Sequence, residues 1–106
     1  MSGGGIVKTP FGLAADTICE AIKARRILSF AYKASDRTAE PYILGYDDKG
    51  KLVLSAVQLT GGSGGGFRSF ELAGMSAVAA TDRHFSGTDR DYNPDDPYFE
   101  RIICQV

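Results

Sequence analysis

The chain carries little with which to do covalent chemistry. It has one histidine, His84, two cysteines, Cys19 and Cys104, near opposite ends, and no tryptophan. One histidine and two distant cysteines do not make a metal site. Nor do the neighbours of His84, Arg83 and Phe85, offer the serine and acid of a hydrolytic triad. No segment approaches the ~20 apolar residues of a membrane helix, and the opening MSGGGIVKTPFG lacks the apolar run of a secretory signal. These gaps point to a cytoplasmic protein without membrane association, whose thiols are reduced and packed as small core residues. A disulfide closing the long loop between them remains the alternative. Strong net charge is missing too: the formal total is −1, so no global field gathers polyanions. Paired carboxylates at a credible spacing, an activated nucleophile and a cofactor-binding motif are all lacking, which argues against an enzyme.

What is present fits one domain. With 106 residues, 43% hydrophobic and 24% charged, the chain can build a single modest core. Its charge is uneven. Residues 1–70 hold nine Lys or Arg against six acids, whereas Asp82, Asp89, Asp91, Asp95, Asp96 and Glu100 crowd the end. The organisation reads as a flexible Gly-rich N-terminus over residues 1–12, a folded domain over 13–82 and a tail over 83–106.

Thr17 followed by Glu20 has the spacing of a capping box and predicts a helix starting at Asp16 or Thr17. Ile18, Ala21, Ile22 and Arg25 continue it at helical spacing for about 9–10 residues, with Lys23, Arg25 and Arg26 in its last turn. The period then becomes two: Leu28, Phe30 and Tyr32 share one face of a strand over 27–33. Ala34 to Thr38 reads as a polar turn and Tyr42 to Tyr46 as a second strand, with Pro41 placed to start a strand or mark an edge. Asp47-Asp48-Lys49-Gly50 predicts a hairpin turn. Leu52 to Leu59, Phe67 to Leu72 and Ser76 to Thr81 complete five strands. Short, locally connected strands favour a mainly β fold: a small five-stranded Sm/SH3-like barrel capped by the helix.

With those strands in place, residues 18–78 resemble the WYL domain, a small barrel found in many bacterial transcriptional regulators. The likeness rests on Leu28, Phe30 and Tyr32, on Arg37 and Pro41 as Arg-x-x-x-Pro, on Leu54 and Ala56, and on Arg68, Phe70 and Leu72 as Arg-x-Phe-x-Leu. Leu52-Val53-Leu54 stands where the family has Trp-Tyr-Leu. Gly74 replaces its second arginine, which removes one cation. The resemblance implies a non-enzymatic regulatory or sensor domain, standing alone for want of room for a winged helix-turn-helix. It further implies a barrel face at Tyr32, Arg37, Arg68 and Phe70 that binds a nucleotide or a short single-stranded nucleic acid. A guanidinium pairs with phosphate in a planar fork, and a tyrosine stacks on a base. The competing structural roles are an Arg68 pair with Glu40 or Glu71, and Tyr32 as a rim residue of the core.

Three features invite other readings. The run Thr60-Gly61-Gly62-Ser63-Gly64-Gly65-Gly66 lacks the Lys-Ser/Thr ending of a phosphate loop and reads as a flexible hairpin connection. Asp89, Asp91, Asp95 and Asp96 lack the Gly and Glu spacing of a calcium loop and read as a solvated turn. Phe99, Ile102, Ile103 and Val106 form an apolar stripe that either covers the open edge of the domain or pairs with a second copy. The second choice supports a rival function, a protein-interaction module that forms a homodimer or docks a regulator protein.

Overall fold

The computed structural model describes residues 12–62 and 66–106. One helix, α1 (Gly12–Ala24), precedes six strands: β1 (Arg26–Tyr32), β2 (Ser35–Tyr46), β3 (Leu52–Thr60), β4 (Gly66–Glu71), β5 (Met75–His84) and β6 (Arg101–Gln105). One turn of 3-10 helix, Leu72–Gly74, joins β4 to β5. All strand pairs are antiparallel, in the order β4-β3-β2-β1-β5, with β6 added beside β2. The protein is therefore mainly β with one N-terminal helix, as the period switch after Arg26 predicts. It is not the closed five-stranded barrel expected from the strand spacing: the sheet has six strands and its path stays open between β4 and β5.

The departure originates in β2. Its first half pairs with β1 as far as Ala39, opposite Leu28, and its second half pairs on the same side with β6 from Ile43, opposite Gln105. Pro41 falls in the gap, where β3 is the only strand neighbour among the described residues, and the register with β3 shifts between Pro41 and Ile43. A strand that is central elsewhere is locally an edge with a bulge, which is where proline is tolerated. The polar stretch read as a turn, Ala34 to Thr38, is largely strand. The chain reverses at Lys33 and Ala34, whose φ angles of 50° and 62° are those of a two-residue I′ hairpin.

Helix α1 begins four or five residues earlier than its capping box predicts, so Thr17 and Glu20 lie within it. It ends at Ala24 because Arg25 turns left-handed, at φ 55°, while its N–H donates to the Ile22 carbonyl at 3.2 Å. Arg25 and Arg26 are thus outside the helix. Ile18, Ala21 and Ile22 form the expected stripe and pack on Leu28, Phe30, Leu44, Leu54, Ala56 and Phe70. The opposite face of the sheet carries a second cluster, in which Ile27, Tyr42, Ile43, Val53 and Val57 are covered by Phe85 and Phe99. Burial on both faces explains why β3 reads as an apolar run without alternation.

The tail belongs to the same sheet. β6 pairs with β2 of its own chain, so in this structure the apolar stripe covers an edge, although Ile103 stays 42% exposed. The expectation of reduced thiols fails: Cys19 and Cys104 form a disulfide that ties α1 to β6 across 85 residues of sequence. Each is only a small residue at the margin of the main core, so nothing in their local pattern announces the pairing. No helix among the described residues is long and apolar enough to cross a membrane. The flexible terminus expected over 1–12 lies outside the described residues except for Gly12, as do Ser63, Gly64 and Gly65 of the glycine run.

Candidate functional site

Alternation along the strands sets Tyr32 (β1), Arg37 (β2), Gln58 (β3), and Arg68 and Phe70 (β4) on the helix-covered face of the sheet, beyond the part that α1 fills. There the five residues, with Lys33, Gly62 and Ser69, border an open groove of about 290 Å3. All four residues singled out in the sequence are brought together. They are not equivalent. Phe70 is 2% exposed and forms the floor, Tyr32 and Arg37 are half-buried, and Arg68 is exposed.

Arg37 is the best fixed. Its Nε donates to the Tyr32 carbonyl at 3.2 Å and its Nη1 to the Gln58 Oε1 at 3.0 Å. Its guanidinium carbon lies 5.5 Å from the Tyr32 ring centre and 5.9 Å from that of Phe70, within cation–π range. These backbone and amide contacts hold the guanidinium fork in place beside the groove. Tyr32 is held in turn. Its ring meets Phe70 edge-on at 5.1 Å, and its hydroxyl accepts the Glu71 N–H at 3.3 Å. Lys33 places a second cation 5.7 Å from the same ring.

The glycine run has a structural duty at its start. Gly61 has φ +102°, and a Cβ there would overlap the Asp36 carbonyl oxygen and stand 2.8 Å from the Arg37 Cα. At Gly62 a Cβ would stand 2.7 Å from Gln58 Nε2 and 3.0 Å from Arg37 Nη1. The loop therefore leaves β3 pressed against the residues that orient Arg37, and glycine is what permits the approach. Reading the whole run as a flexible connection misses this.

Gln58 and Lys33 escape a reading from sequence. Gln58 had a usable signal, since Leu54, Ala56 and Gln58 share one face of β3 and a polar residue 3% exposed on an apolar face needs a partner. Lys33 had none, because its position depends on the unexpected turn. Of the other candidates, His84 lies exposed at the end of β5. The tail carboxylates cap their own turns: Asp89 Oδ1 accepts from the Asp91 N–H and Asp96 Oδ1 from the Tyr98 N–H.

Geometrically, the groove offers two cations, Lys33 and Arg37, beside an oriented ring, with Arg68 on its border, an arrangement suited to a phosphate beside a planar group. No protein-family model, curated protein or solved structure matches the chain.

Proposed function

We propose that this protein is a non-enzymatic regulatory or sensor domain whose groove binds an anionic ligand, a nucleotide or a short single strand of nucleic acid. The observation that carries the reading is the lining itself. Lys33 and Arg37 of the β1–β2 hairpin and Arg68 of the distant β4 border one groove with Tyr32, and none of the described residues that line it is a carboxylate. In a chain of net charge −1, such a local surplus supports an anion site. The WYL resemblance adds support through the matching positions of Tyr32, Arg37 and Arg68. The order β4-β3-β2-β1-β5, with a helical turn between β4 and β5, favours an opened version of the Sm/SH3-like sheet.

The test is a titration of the parent and an Arg37→Ala, Arg68→Ala double variant with labelled single-stranded oligonucleotides and cyclic nucleotides. Loss of charge-assisted contacts worth about 1.5–3 kcal/mol each should weaken binding at least about tenfold, with an unchanged circular dichroism spectrum. A folded double variant that binds as well as the parent refutes the site.

One observation keeps a protein-docking role in view. The outer edge of β5 carries no strand among the described residues, and most of β5 is exposed. The route through the C-terminal tail is weaker, since β6 is already paired within the chain.

A further inference from the structure

We propose a second binding site, beneath the acidic tail on the face of the sheet opposite the groove, for a neutral polyhydroxylated ring of monosaccharide size. A cavity of about 310 Å3 lies there, at the lower end of the ~300–1,000 Å3 typical of small-molecule sites. Its floor is a row across three strands: Ile43 of β2 stands opposite Ser55 of β3, which stands opposite Ser69 of β4. Three aromatic rings form its walls, Phe67, Tyr92 and Tyr98, and Arg68, Asp91, Asn93 and Asp96 complete the lining.

The rings are held before any ligand arrives. Phe67 and Tyr92 pack on the buried Tyr42 at 5.2 Å and 5.1 Å, and the Tyr92 hydroxyl donates to Gln105 Oε1 at 2.9 Å. Tyr98 packs on Phe99 at 5.2 Å while its N–H donates to Asp96 Oδ1 at 3.0 Å. Preorganised faces of this kind bind the face of a ring without a large ordering cost.

The polar lining selects the ligand class. Four hydroxyls, two of them tyrosine, an amide, two carboxylates and a guanidinium supply donors and acceptors together. An anion would face Asp91 and Asp96, and a simple cation would face Arg68. A ring of hydroxyls both donates and accepts at each position, and its C–H face needs the aromatic walls. Nothing in this argument depends on the anionic reading of the groove, although Arg68 and Ser69, on the edge strand β4, border both sites.

The test uses the full chain, with saturation-transfer NMR and tyrosine fluorescence, against D-glucose, D-galactose, D-mannose and N-acetyl-D-glucosamine, with glycine and L-glutamate as charged comparators. Saturable binding of at least one pyranose near a Kd of about 1 mM is expected, weakened at least about tenfold by Tyr98→Ala and by Asp91→Asn. Arg37→Ala, outside this cavity, should leave it unchanged. Tyr98 is 45% exposed, so its truncation spares the core, and Asp91→Asn preserves shape. Failure of every pyranose to bind, binding indifferent to both cavity variants, or tighter binding of the amino acids would each overturn the proposal.

Discussion

Gly50 and Gly61 are both left-handed, with φ of +78° and +102°, yet their surroundings differ. Nothing lies within 4 Å of a Cβ at Gly50, so Gly50→Ala should cost only the conformational penalty of about 1–2 kcal/mol. Gly61→Ala adds an overlap with the Asp36 carbonyl and Arg37, and should cost more while also weakening ligand binding at the groove. Urea unfolding of the two variants gives the comparison; equal costs would mean that the loop does not press on Arg37. Two carboxylates set opposite pH dependences. Hydrogen bonds from the Lys51 and Lys49 N–H groups hold Asp47 below its ordinary 3.8, so its stabilisation is present above that value and fades as pH falls through the lower folded one. Burial first, and Asp89 second, push Glu40 above its ordinary 4.5, so ionising it opposes folding as pH rises through that raised value. Glu40→Gln should therefore stabilise the protein at neutral pH and change nothing at pH well below 4.5, as thermal unfolding across that range would reveal.

At the scale of elements, legibility followed the strength of local signals. The Asp47–Gly50 hairpin was readable because a carboxylate that caps its own turn and a glycine coincide there: Asp47 Oδ1 accepts from both Lys49 and Lys51. The β1–β2 reversal was not, because Lys33 and Ala34 take up a conformation normally signalled by Asn-Gly. That misplacement shortened β2 and hid the length that lets one strand serve β1 and then β6. Ala34→Gly should relieve the left-handed cost and stabilise the hairpin by a net of about 0.5 kcal/mol. Chemical denaturation would show the midpoint rising; a fall would contradict the I′ turn. Tyr32, Arg37, Arg68 and Phe70 still meet despite the misread turn because they depend on strand parity, which the hydrophobic pattern carries, while the pressed glycines depend on a loop packing that no local pattern encodes.

Across the whole molecule, two features tie the ends of the chain together. β6 pairs with the middle of β2, and the Cys19–Cys104 disulfide joins α1 to β6. Closing a loop of 85 residues is worth about 4–5 kcal/mol in the chain-entropy account, a large share of the stability of a small domain. Dithiothreitol, or a Cys19→Ala, Cys104→Ala double variant, should lower the urea midpoint accordingly. An unchanged midpoint would mean that the bond contributes nothing in solution. Such bonds persist in oxidising compartments, so this result bears directly on the cytoplasmic expectation, which rested on the absence of an export signal. Both clusters meet at β3, and the groove occupies the margin of one of them, beside the fixed Tyr32 ring.

The central claim is that the groove contacts phosphate, and the salt dependence of single-stranded DNA binding tests it most directly. Three cations neutralising three phosphates predict that log K falls with log salt at a slope of about −2, and that Arg68→Ala removes about 0.7 of it. Binding with no salt dependence, or a slope that Arg68→Ala leaves unchanged, would contradict the account.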